Sequence, residues 1–541
     1  MDESSPILLP LNDRHSSWLE TEEIPTFSEQ QCTQLRTDTV ESFDLLLTSV
    51  VKIFCTDVKP NYSVPWQMKS PTFSTSSGFV IRNNAEKRWI LGNAHGVSDA
   101  TNILIRKNGD VKKYLACVLH ISHEADLALL TVHDQEFWYG LHELKFGDIP
   151  RLQEAVIVIG FPTGGDNLCV TKGVVSRVVV STYQQSYELL LQIQIDAAIN
   201  SGNSGGPCLQ SNNFVVGVAF QSKRERMFTF IIFPFLFLIG RKEAQSCGYI
   251  IPVPVILHFL DEIQEHGRYI GYPQLALRWS PLENDYLKDY LHIPRNKHGI
   301  LVNYIDPVSN IYQVLKENDV IISIDNVPIG DDGTIYFRRG ERISFRFLEK
   351  SKFIGNELSL SIIRNGQEMI VKTILDYHSD LVPYQLYDSL PQYLIFGGLV
   401  FTPLTKPFIT SSAVLEDWYK YSYPRFENIA GYLYHGRLQQ SKSEQIILLC
   451  EILVDQINNG YVSKYSCERL RTVNDIEVRN MKELNDVIEA ETNREGVNYL
   501  KFIFDYNKII VLSIKDAKEA EQRILKRNNI SHSKSQDLRH Y

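Results

Sequence analysis

The 541-residue sequence has no Cys-x-x-Cys pair and no tightly spaced Cys/His set, so the ligand spacing of a zinc site is missing. Its eight cysteines (Cys32, Cys55, Cys117, Cys169, Cys208, Cys247, Cys450 and Cys467) are scattered and read as free thiols in a reducing compartment. The N-terminus lacks the sustained apolar run of a secretory signal, and Glu20, Glu22 and Glu23 make it too acidic for a transit peptide. The net charge of −9 excludes the basic surface that nucleic-acid binding needs. Nor is the signature of disorder present, since 44% of residues are hydrophobic and 22% charged. The longest apolar run, Met227 to Gly240, has 14 residues with Pro234 inside it, short of the roughly 20 needed to cross a bilayer as a helix. It reads as an insertion at 223–245. Contact with a membrane surface through 227–240 is the lesser reading.

What is present is a succession of short Val/Ile/Phe/Leu runs from residue 46 to 251, separated by Gly, Asn, Asp and Pro. This is the pattern of antiparallel β-structure, and about a dozen such strands suit a pair of barrels or a sandwich. Helical spacing at Ile256, Phe259, Leu260 and Ile263 closes that domain. Two further units of strands and helices follow, the second a weaker version of the first. The expected organisation is a flexible leader over 1–42, the β-rich domain over 43–268, further domains over 269–380 and 381–516, and a flexible tail over 517–541.

Asp196-Ala-Ala-Ile-Asn-Ser-Gly-Asn-Ser-Gly-Gly-Pro207 is the stretch with chemical content. A serine between glycines can sit on a sharp turn, its hydroxyl exposed and backbone N–H groups converging beside it. The same letters also describe an ordinary surface turn. His95 follows the apolar run Trp89-Ile-Leu, and Asp126 opens another run, Leu127 to Val132. Each alone is an ordinary strand-end residue. Together with Ser204 they supply a base, a carboxylate to orient it and a hydroxyl to attack, in the order His, Asp, Ser with gaps of 31 and 78 residues.

Asn93-Ala94-His95, Ala125-Asp126-Leu127-Ala128-Leu129-Leu130, Gly160-Phe161-Pro162, Gly173-Val174-Val175-Ser176 and Asp196 to Pro207 resemble the successive signatures of the HtrA/Deg (Do-like) serine proteases. Phe337-Arg-Arg-Gly-Glu-Arg-Ile343 and Tyr393-Leu-Ile-Phe-Gly-Gly-Leu-Val-Phe-Thr-Pro403 extend the resemblance to the plant branch with two C-terminal PDZ-type modules, over about residues 45–515. It implies a mostly β protein: a chymotrypsin-like double β-barrel protease domain followed by two PDZ-type α+β domains. It also implies an ATP-independent serine endopeptidase of protein quality control, without metal or cofactor, built as a homotrimer or a multiple of trimers and acting on unfolded or damaged proteins. Carried onto matching positions, Ser204 is the nucleophile, His95 the general base and Asp126 its orienter, with the backbone N–H groups of Gly202 and Ser204 as oxyanion hole.

In the first PDZ-type module Gly299-Ile300-Leu301 is the candidate site for peptide C-termini, by strand addition. The resemblance favours a mitochondrial site, with nucleus or chloroplast as alternatives. Two departures stand out. Gly92 replaces the family's usual Thr before Asn-Ala-His, and the 223–245 insertion follows the strand expected to line the primary specificity pocket. A catalytically impaired, peptide-binding or chaperone-like scaffold is therefore the alternative reading.

Overall fold

The computed structural model describes residues 43–223, 247–377, 380–411, 441–461 and 467–539. The leader and nearly all of the 223–245 insertion fall outside them. The chain forms two compact units: Met1–Asp57, Thr72–Ile305 and Gln313–Tyr377 in one, and Val58–Pro71, Asp306–Tyr312 and His378–Tyr541 in the other.

The first unit opens with two closed barrels. Strands β1 (Val50–Asp57), β2 (Thr72–Asn83), β3 (Arg88–Gly92), β4 (Ala100–Lys107), β5 (Tyr114–Ser122) and β6 (Leu127–Val132) close in the order β1-β2-β3-β6-β5-β4. Period-2 alternation sends Val51, Ile53 and Cys55 into a core with Val80, Ile90, Ile105 and Leu130, leaving Lys52 and Phe54 on the other face of β1. Strands β7 (Ala155–Gly160), β8 (Cys169–Thr182), β9 (Leu189–Ile195), β10 (Pro207–Gln210), β11 (Val215–Lys223) and β12 (Cys247–Pro252) close the second barrel as β10-β11-β12-β9-β8-β7. The mostly β, double-barrel expectation therefore holds. The shortest of these strands is β10, only four residues long and directly after the glycine-serine loop.

Helix α1 (Val253–His266) follows, with Ile256, Phe259, Leu260 and Ile263 buried and Gly267 ending it at φ +69°. The first PDZ-type domain then presents β13 (Leu277–Pro281), β14 (Ile300–Ile305), β15 (Val320–Ile324), β19 (Glu357–Arg364) and β20 (Gln367–Ile374) in that spatial order, with the short β16 (Val327–Pro328) beside β15. A hairpin of β17 (Thr334–Arg338) and β18 (Glu341–Ser344) leads into helix α2 (Arg346–Lys350). This excursion ties the domain to the barrels. Arg338 donates to the carbonyls of Ile149 and Pro150 at 3.2 and 3.0 Å, and Lys350 pairs with Glu188 at 2.9 Å. On α1, His258 is stacked between Tyr272 and Phe353, and Glu262 accepts from the N–H groups of Ile270 and Gly271 at 3.0 and 3.2 Å.

In the second unit β21 (Leu394–Phe396), β22 (Leu399–Pro403), β23 (Ile447–Ile452), β24 (Glu468–Val473), β26 (Tyr499–Phe504) and β27 (Ile509–Ser513) form a sheet, with β25 (Ile476–Glu477) beside β24. Helix α3 (Met481–Asn493) places Met481, Leu484 and Ile488 into the core beside Phe401, Phe502 and Leu512. The tail expected to be flexible from residue 517 is instead structured. Helix α4 (Ile514–Arg527) buries Ala517, Ala520 and Ile524, and the segment after it runs along β21, with Ile395 N–H donating to the Ser533 carbonyl at 2.7 Å and Ser535 N–H to the Tyr393 carbonyl at 2.9 Å.

Candidate active site

His95 sits on a single 3-10 turn, Ala94–Gly96, directly after β3. Asp126 stands just before β6 at φ +55°, a left-handed conformation that aspartate tolerates better than most residues. Its carboxylate faces His95 with both oxygens. Oδ1 accepts from the His95 backbone N–H at 2.8 Å, and Oδ2 lies 2.7 Å from Nδ1. The Asn93 side-chain amide donates to the Asp126 carbonyl at 2.8 Å, locking the two turns together. The Asp126 side chain is 1% exposed and that of His95 26%. The imidazole thus reaches solvent while its partner is shielded, which strengthens the interaction between them. Beneath Asp126, burial pushes the Tyr183 phenol well above its ordinary range and the Asp126 charge adds to the effect. Tyr183 stays neutral, its OH donating to the Leu191 carbonyl at 2.6 Å and its ring centroid 4.7 Å from that of Phe220.

The Ser204 loop is fixed by backbone contacts that only glycine permits. Gly202 and Gly205 have φ of +98° and +86°. A Cβ on Gly205 would lie 2.1 Å from the Ser77 carbonyl oxygen and 3.1 Å from Asn93 N, so the Ser204 loop packs directly on the segment leading to His95. Ser77 of β2 holds it there. Its N–H donates to the Ser204 carbonyl at 2.8 Å, and its Oγ donates to the Gly202 carbonyl and accepts from Phe161 N–H, both at 2.8 Å. Ser204 Oγ makes, among the described residues, only a long 3.5 Å contact with the Phe220 carbonyl. Among the described residues, neither the Gly202 nor the Ser204 N–H donates a hydrogen bond. Ser77 and Tyr183 carry no signal in the sequence; Ser77 acts through partners more than 80 residues distant, and Tyr183 meets Phe220 from across the barrel.

Gly92, the departure near His95, is paired with Gly78 and Ala128 in the barrel ladder, so the strand end is held without the family's threonine. The peptide site expected at Gly299-Ile300-Leu301 requires correction. Strand β14 is paired with β13 through Ile300↔Pro281 and Leu301↔Ser280, and with β15 through Ile300↔Ile321 and Leu301↔Val320. A peptide adding as a strand finds no open edge there, and Gly299 N–H already donates to Asp331 at 3.1 Å. The outer neighbour β13 begins at a segment that is itself held: Arg346 donates to the carbonyls of Leu275 and Leu277, and Glu349 accepts from Leu275 N–H at 2.9 Å. Among the described residues, no group of three or more His, Cys, Asp and Glu side chains is arranged to hold a metal ion.

The family model of the trypsin-like peptidase domain matches residues 76–218, and that of the PDZ domain matches residues 382–537. The chain is 40% identical over 500 residues to the putative protease Do-like 3, mitochondrial, of Arabidopsis thaliana, covering 92% of this chain and 82% of the relative. To the chloroplastic protease Do-like 2 of the same plant it is 38% identical, over 96% of this chain and 79% of that one. The mitochondrial protease Do-like 4 is 36% identical, with 92% and 87% covered. With relatives matched across both the barrels and the C-terminal domains, this chain belongs to the HtrA/Deg (Do-like) family of serine proteases, and its activity is that of a serine endopeptidase.

Proposed function

We propose that Ser204, His95 and Asp126 form the catalytic triad of an ATP-independent endopeptidase that degrades unfolded or damaged proteins. The observation that carries this reading is the two-point grip of Asp126 on His95. With Oδ2 accepting from Nδ1–H, the proton of neutral imidazole is kept on Nδ1, and Nε2 is left as the base that takes the proton of Ser204. The hydroxyl oxygen then attacks the scissile carbonyl, and the negative charge forming on the carbonyl oxygen is met by the N–H groups of Gly202 and Ser204. Each such donor contributes about 3 to 4 kcal/mol to the transition state. The imidazolium, stabilised by Asp126, returns its proton to the leaving amine, and water repeats the cycle on the acyl-enzyme.

Assembly into trimers, and a mitochondrial site like that named for two of the three relatives above, belong to the same proposal. The test is degradation of casein and of a reduced, unfolded globular protein without ATP, beside the folded form of the latter. Cleavage of the unfolded chains by wild type and none by Ser204→Ala supports the reading. Equal cleavage by both proteins, or none by either, refutes it. Light scattering of the full chain tests the trimer, and imaging of a C-terminal fusion tests the compartment.

A further inference from the structure

Lys52 is a cation inside the β1 run Val-Val-Lys-Ile-Phe, and it is only 4% exposed. Directly across the ladder stands another cation, Arg106 of β4. Like charges in opposed positions destabilise a sheet unless an anion lies between them. That anion is Asp166, at the tip of the loop joining β7 to β8 in the other barrel. Lys52 Nζ donates to Asp166 Oδ1 at 2.8 Å and to the Gly165 carbonyl at 2.7 Å. Arg106 donates to Asp166 Oδ2 at 3.3 Å and to the Asp166 carbonyl at 3.1 Å. The two cations hold the Asp166 carboxyl down at about 2, so it is ionised wherever the protease works.

The loop tip has little else to hold it. A Cβ built on Gly164 or Gly165 would meet no atom within 4 Å. The base of the same loop, in contrast, touches the nucleophile loop directly. Thr163 N–H donates to the Ser201 carbonyl at 2.7 Å and its Oγ1 to the same oxygen at 3.0 Å. The Gly202 backbone lies flat against Phe161 to Thr163, where an added Cβ would be 2.5 Å from the Phe161 carbonyl oxygen and 2.7 Å from Thr163 N. Where Phe161–Thr163 sits therefore decides where the Gly202 N–H points.

We propose that Lys52 and Arg106 are positioning residues for catalysis: by gripping Asp166 they hold the 161–166 loop of one barrel onto the other and thereby aim the Gly202 N–H at the oxyanion. The proposal rests on the oxyanion reading given above. Its consequence is a strap that touches neither substrate nor triad and yet governs turnover. Because Asp166 is largely exposed, with 66% of its side chain accessible, salt screens its contacts, whereas the buried Asp126 carboxylate is better insulated.

The test uses the full chain and compares wild type with Asp166→Asn, Lys52→Met, the double variant and, as control, Lys113→Ala, whose ammonium lies over the Phe54 ring beside Lys52. The readouts are kcat and KM on an unfolded substrate, the rate at which a fluorophosphonate probe labels Ser204, and the thermal midpoint. Removing one oxyanion donor typically costs 10²- to 10³-fold in kcat. Misaiming it through Asp166→Asn is expected to lower kcat and labelling rate about 10- to 100-fold, with KM within about twofold and the thermal midpoint close to wild type. Lys52→Met is expected to match it, the double variant to be no worse than either single one, and Lys113→Ala to behave as wild type. Raised salt is expected to slow wild type and leave Asp166→Asn unchanged. Labelling of Asp166→Asn at the wild-type rate overturns the strap while leaving the triad standing. So does a kcat loss that merely follows a lowered midpoint. Absence of labelling in wild type overturns the triad reading itself.

Discussion

Replacing Asp126 by asparagine perturbs one proton and leaves the shape of the site intact. In the native arrangement both carboxylate oxygens accept, one from the His95 backbone N–H at 2.8 Å and the other at His95 Nδ1, 2.7 Å away. Asparagine has one oxygen and one NH2. Turned so that the NH2 faces the backbone N–H, it would set donor against donor at 2.8 Å, so the amide is forced into the opposite orientation. The NH2 then points at Nδ1, which must accept, and the imidazole proton moves to Nε2. An imidazole in that tautomer cannot take the proton of Ser204. Loss of the correct tautomer in a triad of this kind costs about 10⁴-fold in kcat, equivalent to about 5.5 kcal/mol in the barrier. The assay is turnover of an unfolded substrate, with KM and thermal unfolding measured alongside. A folded Asp126→Asn protein retaining activity within tenfold of wild type would refute the role given to this carboxylate.

Gly205→Ala is expected to remove activity by more than about 100-fold and to lower the unfolding midpoint, because its Cβ would stand 2.1 Å from the Ser77 carbonyl and its left-handed backbone adds about 1 to 2 kcal/mol of strain; wild-type turnover would show that the loop is not held as described. A second prediction concerns pH. Burial, reinforced by nearby Glu124, raises the Glu262 carboxyl to about 7, against about 4.3 in an unfolded chain. Between those values the folded protein binds more protons, so this group's contribution to stability falls as pH rises from about 4.3 to about 7 and is level above, by at most about 4 kcal/mol at about 1.4 kcal/mol per unit. Glu262→Gln, which keeps an acceptor for Ile270 and Gly271, is expected to flatten that part of the melting-temperature profile between pH 5 and 8; an unchanged profile would contradict the assignment.

The proposed site is read from His95 and Asp126, each beside an apolar run of the sequence, and from the glycines flanking Ser204, of which Gly202 and Gly205 take positive φ where an added Cβ would meet backbone atoms. What the sequence concealed depends on partners far along the chain. Lys52 reads as a polar interruption of a strand, and nothing local shows that it meets Asp166. The hairpin Thr334–Ser344 and helix Arg346–Lys350 are too short for periodicity to reveal, although they carry the contacts of Arg338 and Lys350 with the barrels. The polar, basic composition from residue 517 reads as a flexible tail, whereas helix Ile514–Arg527 buries a narrow face of Ile514, Ala517, Ala520 and Ile524, two of them alanines that give a weak apolar signal. Gly299-Ile300-Leu301 has the letters of a peptide-binding edge, but edge or interior is decided by which strands come to lie on either side, and here both sides are filled.

Intact-mass measurement of the full chain after exposure to a fluorophosphonate, with and without an unfolded substrate, tests most directly whether Ser204 is an activated nucleophile. A single adduct on wild type, located to Ser204 by peptide mapping and absent from Ser204→Ala and His95→Ala, is the expected result. An unmodified wild-type protein under every condition, or an adduct that persists in Ser204→Ala, would contradict it.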